Sequence, residues 1–172
     1  MKLTFAVTAF TLLTSVWANP IESIDKRVRP STVNNLPTED VLCMDNTGQW
    51  FSISPQTIEE SIKKASDLQD RNQVIWKYPS TINTPTTLPG WPHRQPRRSV
   101  WHYPIAETSR GTAVFDGRNY GDMTRVMYTH DKNSSKATYA GIWTHHNTGS
   151  NAYRMCATWT EWQTGVQASS DV

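Results

Sequence analysis

Only one segment of this chain repeats apolar residues at helical spacing, and the segments C-terminal to it alternate. Ile58, Ile62, Ala65 and Leu68 recur on one face of a helix. Ser54 is suited to the N-cap and Pro55 to the first helical position. Glu59/Lys63 and Glu60/Lys64 are i,i+4 pairs with the acid towards the N-terminus, the favourable order. These signals predict a helix over residues 55–69. Downstream, residues 74–78, 100–103, 112–115, 124–129 and 136–144 read as strands, closed by Pro79, Pro104 or polar turns. A single helix followed by four or five antiparallel strands implies an α+β fold, a twisted sheet packed on that helix.

The chemistry concentrates near the end of this pattern. Residues 141–156 read as a strand, a polar turn through Gly149, and a second strand ending in Cys156. Strand parity puts Gly141, Trp143 and His145 on one face and Ile142, Thr144 and His146 on the other. Likewise Arg125, Met127 and Thr129 alternate with Val126 and Tyr128. An arginine inside a sheet needs a partner or a groove to open into. One solution is a salt bridge to Asp116, Asp122 or Glu107. The other is a groove in which Arg125 and His145 converge on a phosphodiester. The guanidinium would hold the non-bridging oxygens, and the imidazole, with an ordinary pKa of about 6.5, would protonate a leaving oxygen. Cleavage of RNA by that route also needs a base for the 2′-OH proton.

Residues 1–18 read as a secretory signal peptide. Lys2 supplies a basic start, an apolar run comes next, and Val16-Trp17-Ala18 is a small-x-small cleavage pattern. Residues 19–41 read as a propeptide or linker with a dibasic site at Lys26-Arg27, residues 42–156 as the domain, and 157–172 as a tail. No segment reaches membrane-spanning length. The formal net charge of +2 says little about partners. In an oxidising compartment Cys43 and Cys156 most simply pair with each other, since neither has metal-ligand spacing around it. No metal or cofactor is expected, and a monomer is. Asn133-Ser134-Ser135 is an isolated sequon in a polar turn, which makes Asn133 a glycosylation candidate.

Five short motifs in order carry a resemblance. Gly141-Ile142-Trp143-Thr144-His145, with Cys156 eleven residues later and Asn151 and Tyr153 between, resembles the C-terminal part of the small fungal guanyl-preferring ribonucleases of the T-one and F-one type. Thr124-Arg125-Val126 is similar to that family's Asp-Arg-Val strand, and Tyr103-Pro104-Ile105 to its aromatic-Pro-Ile motif. Tyr78-Pro79-Ser80-Thr81-Ile82-Asn83 resembles its Tyr-Pro-His-x-Tyr-Asn segment, and Cys43 with the helix after it occupies its N-terminal cysteine-and-helix position. The resemblance covers about residues 42–156. The secreted two-cysteine form also looks like the ribonuclease-like effectors of fungal plant pathogens such as powdery mildews.

Carried over residue by residue, the resemblance makes His145 the general acid, Arg125 the phosphate-binding arginine, and Tyr78 the active-site tyrosine. Tyr153 becomes an aromatic beside the phosphate, and Asn151 and Asn83 support base binding. Two family residues are replaced: the catalytic glutamate before the aromatic-Pro-Ile motif by His102, and the histidine of the Tyr-Pro-His motif by Ser80. The carboxylate that reads guanine has no counterpart in Ile82-Asn83-Thr84-Pro85-Thr86. His102 could act as a substitute base beside His145, and Glu107 is a second, displaced candidate. Loss of a positioned base costs about 10²–10⁴-fold in rate. The expected function is therefore binding, either of RNA (single-stranded or ribosomal) or of a host plant protein. The alternative is an active secreted endoribonuclease that leaves 2′,3′-cyclic phosphate ends. The loop at residues 91–101 adds Trp91, Arg94, Arg97 and Arg98, an interleaving of cations and aromatics suited to single-stranded RNA.

Overall fold

The computed structural model describes residues 32–82, 99–118, 124–146 and 153–164. Its one long helix, α1 (Pro55–Asp70), starts where expected, with the Ser54 side chain accepting from the Thr57 amide at 3.1 Å. Ile58, Ile62 and Ala65 lose all their exposed surface against the sheet. Of the two expected surface pairs, Lys63 reaches Glu59 at 2.7 Å. Lys64 instead donates to the Phe115 carbonyl at 2.6 Å, and Glu60 accepts from Gln56. A side chain within reach of a half-buried carbonyl has a better partner there than an exposed carboxylate.

The strands are β1 (Thr32–Asn34), β2 (Val41–Met44), β3 (Trp50–Ile53), β4 (Ser80–Thr81), β5 (Trp101–Thr108), β6 (Gly111–Val114), β7 (Thr124–His130), β8 (Lys136–Thr144), β9 (Arg154–Met155) and β10 (Ala157–Thr158), and the chain then enters a short helix α2 (Trp159–Gln163). They form two sheets. The larger has seven strands in the order β1-β8-β7-β5-β4, with β6 added to β5 and β9 to β8; the smaller is β10-β2-β3. The α+β class therefore stands, but the expected single sheet of four to five strands is too small. Residues 32–34, expected in a linker, add β1 parallel to β8 with only Val33 buried. One buried residue gives no period to read. Conversely, residues 74–78 are no strand: Trp76 has φ +61°, Val74 and Trp76 are exposed, and Ile75 and Tyr78 bond across a tight turn. The tail also gains structure, since Thr158 and Glu161 close a capping box on α2.

A β-bulge in the β7–β8 pair decides which side chains meet. Met127 pairs with Gly141 but Tyr128 pairs with Tyr139, so Ala140 is the extra residue. Ala137 and Tyr139 therefore face α1, whereas Gly141 and Trp143, of the same parity, face away. Gly141 sits at φ +136°, which a side chain would strain. On the α1 side, Tyr103, Ile105, Val126, Tyr128 and Ile142 complete the core. Cys43 on β2 is bonded to Cys156, between β9 and β10, which ties the small sheet to the end of the large one.

Tyr103 and Tyr128 are fully buried and Tyr139 partly so, and burial is the main cause that pushes each phenol above its ordinary pKa. In the unfolded chain they ionise near pH 10. Their stabilisation is then complete below about pH 10 and is lost as pH rises beyond it, because the unfolded state releases its protons first. On alkaline titration, tyrosinate absorbance from these three should rise together with the loss of far-UV circular dichroism. Ionisation well ahead of unfolding would contradict the burial.

Candidate anion-binding groove

Pairing register sets the face. His102 lies opposite Met127, Pro104 opposite Arg125, and Arg125 opposite Trp143, so these side chains share the side of the sheet turned away from α1. There Arg125, 8 % exposed, donates from one terminal nitrogen to the Tyr153 hydroxyl at 2.6 Å and to His102 Nδ1 at 3.2 Å. Its guanidinium carbon lies 5.4 Å from the ring centres of both Tyr78 and Tyr153. Partial desolvation strengthens such cation–π contacts, which are worth about 2 kcal/mol when dry.

Tyr153 links the cation to the histidine. Its ring centre is 3.7 Å from that of His145, with the planes 39° apart, and 5.5 Å from that of Trp143. Arg125 and His145 therefore rest against the same phenol. Tyr78 stands edge-on to His102 at 5.3 Å and has no exposed surface. It is buried against Arg125 and His102, where it supports both side chains.

The geometry also fixes what His102 can do. A guanidinium only donates, so Nδ1 of His102 must accept, and the ring proton of the neutral form sits on Nε2. In that tautomer Nδ1 is occupied by Arg125 and Nε2 carries the proton, so neither nitrogen has an open lone pair. His102 is poorly set to take a proton from a 2′-OH.

Glu107 is no displaced base. By strand alternation it lies on the other face from His102, where its Oε2 is 2.8 Å from His146 Nε2. His146 is also packed edge-on to Phe51. Nearby, hydrogen bonds from the Thr47 side chain and the Gln49 amide hold the Asp45 carboxyl below its ordinary range, with a lesser contribution from His146. Asp116 bonds to Arg118, so the salt bridges to Arg125 suggested for Glu107 and Asp116 do not form.

Asn133 is exposed in the β7–β8 turn, with φ +63° and its amide donating to Asp70. Asn83, Trp91, Arg94, Arg97, Arg98, Asn151, Asp122 and residues 1–31 with Lys26-Arg27 lie outside the described residues. Among the described residues no cluster of three or more His, Cys, Asp or Glu is arranged to hold a metal, and no helix is long and apolar enough to cross a membrane. Sequence reasoning missed the His146–Glu107 pair and a tryptophan cluster at α2. Parity did separate His146 from His145, which was the available signal for the former. No known protein family, curated protein or solved structure matches this chain.

Proposed function

We propose that this chain is a secreted, effector-like protein with a ribonuclease-like sheet whose catalytic set is incomplete, and that it binds single-stranded RNA by its phosphates. The observation that carries this reading is the buried Arg125 guanidinium, held by Tyr153 and His102 and adjoined by His145 through the Tyr153 ring. Such a cation, flanked by aromatic faces, suits a phosphodiester and its neighbouring base. The disulfide is compatible with secretion, and the exposed Asn133 with glycosylation. Binding is favoured over cleavage because His102 stands where the family has a glutamate, and its Nδ1 is occupied by Arg125.

The test is binding of a short single-stranded oligoribonucleotide to the mature chain at several salt concentrations. Affinity should fall steeply with salt, by a slope of about 0.7 per neutralised phosphate. Arg125→Met should weaken binding about 10- to 100-fold, since a hydrogen bond to a charged group is worth about 1.5–3 kcal/mol. Tyr153→Phe, which keeps the ring, should produce a smaller loss and guards against misfolding of the arginine variant. Product analysis should find no 2′,3′-cyclic phosphate ends. Turnover abolished by His145→Ala would establish the endoribonuclease instead, and salt-independent or absent RNA binding would leave a protein-interaction module.

A further inference from the structure

Three tryptophans are half exposed at one corner of the molecule: Trp50 at 54 %, Trp159 at 51 % and Trp162 at 47 %. Trp159 stacks on Trp162 at 5.6 Å, and Trp50 meets Trp162 edge-on at 6.2 Å. They are held in place by ordinary structural means. Trp50 is on β3, and α2 is fixed by its capping box and by Glu39, which accepts from the Thr160 amide. A single exposed tryptophan needs no explanation, but three in contact form an apolar patch of the kind that marks a binding surface.

Beside them is a cavity of about 240 Å³, lined by Leu42, Met44, Trp50, Arg154, Met155 and Trp162 among others. Arg154 is half-buried, and among the described residues no hydrogen-bond or ion-pair partner reaches its guanidinium. A cation in an aromatic, apolar cavity calls for an anionic ligand with a flat face. The volume is below the roughly 300–1,000 Å³ that encloses a drug-sized ligand, so it suits one ring system better than a peptide helix.

Position then selects among anionic ligands. Arg154 and Met155 directly succeed Tyr153, which carries the Arg125 contact, and among the described residues β9 pairs only with β8 at the sheet margin. Side chains alternate from Tyr153 to Arg154, so these two neighbours point to opposite faces at the sheet margin, while Met155, on the Tyr153 face, also lines the cavity. We infer that the cavity is a second nucleotide subsite: a base of a single RNA strand stacks on Trp162 or Trp50, and its phosphate pairs with Arg154, while another phosphate of that strand lies at Arg125. This rests on the reading of the Arg125 groove as an RNA groove. Only a single strand can turn around the sheet edge, because a duplex is stiff over about 150 base pairs.

The experiment compares the mature chain with Trp162→Ala, Trp50→Ala, Arg154→Gln and Arg125→Met, using a short single-stranded oligoribonucleotide and a hairpin duplex of the same composition. The single strand should quench tryptophan fluorescence and bind at least tenfold more tightly than the duplex. Trp162→Ala should weaken single-strand binding about tenfold, as expected for one stacked base, and Arg154→Gln should reduce the salt slope by about 0.7. Trp162 is half exposed and Arg154→Gln keeps a polar side chain in place, so both variants should fold, and Trp50→Ala repeats the test from a different strand. Unchanged affinity and quenching in the Trp162 and Trp50 variants would overturn the subsite while leaving the groove intact. Full affinity in Arg125→Met together with loss in Trp162→Ala would sink the groove reading, and with it the shared strand. Quenching by an acidic polysaccharide or a peptide but not by RNA would also overturn the inference.

Discussion

Replacing Cys43 and Cys156 together by alanine should lower the stability of the oxidised chain by up to about 5 kcal/mol. The bond spans 113 residues, and the chain-entropy account gives about 4.8 kcal/mol for a loop of that size, against the 2–5 kcal/mol usual for native bridges. Most of this acts on the unfolded chain, which the bridge keeps from expanding. The native contribution is smaller, because both cysteines also belong to the core, at 1 % and 8 % exposure, and alanine leaves only small voids there. Urea unfolding separates the two. The midpoint should fall, and the slope against urea should rise, because the unbridged chain exposes more surface on unfolding. Of the folded parts, β10 and α2 should loosen first, since they join the rest through the segment the bridge anchors. A loss below about 1 kcal/mol would mean that the small sheet is held by β2–β3 and β2–β10 pairing without help.

What was legible in the sequence was what repeats over several residues. The α1 face and its Ser54-Pro55 start could be read because four apolar residues and a cap agree, and β8 because nine residues separate two turns. β1 could not, since one buried Val33 carries no period. The Ala140 bulge was hidden for a different reason: it exists only against a partner strand, and it moves residues of one parity from the core to the groove. Parity counted locally still placed Gly141, Trp143 and His145 together, because the bulge lies before them. Arg125 was found because a cation among apolar strand residues is conspicuous. The roles of His102 and Glu107 depend on which face β5 presents, and Pro104 obscured that register. The tryptophans of α2 sit in a segment too short to show a helical repeat, so their convergence with Trp50 was visible only in three dimensions.

Asp70→Ala should be among the most destabilising single substitutions, at about 3–5 kcal/mol. Asp70 is the last residue of α1, and its side chain is 3 % exposed against a fully buried His130 on β7. Nδ1 of His130 is 3.1 Å from the Lys136 carbonyl, which only accepts, so that nitrogen donates. With Nδ1 donating, Nε2, 3.0 Å from Asp70 Oδ1, is a second donor when the ring is protonated, and the same oxygen accepts from the Asn133 amide at 2.7 Å. One carboxylate oxygen thus clasps the end of the helix to the β7–β8 turn through two donors. Removing it strands a buried imidazole nitrogen and a turn amide together, and breaking a buried pair costs far more than the pair itself contributes. Asp70→Asn keeps an oxygen in place but loses the charge, so it should cost only about 1–2 kcal/mol. Chemical unfolding of the two variants, with hydrogen exchange at the Asn133 amide, distinguishes a clasp from an incidental contact. Exchange there should accelerate towards the unprotected rate in Asp70→Ala and stay slow in Asp70→Asn. Equal losses in both variants would show that the charge on Asp70, rather than its position as a shared acceptor, holds the turn to the helix.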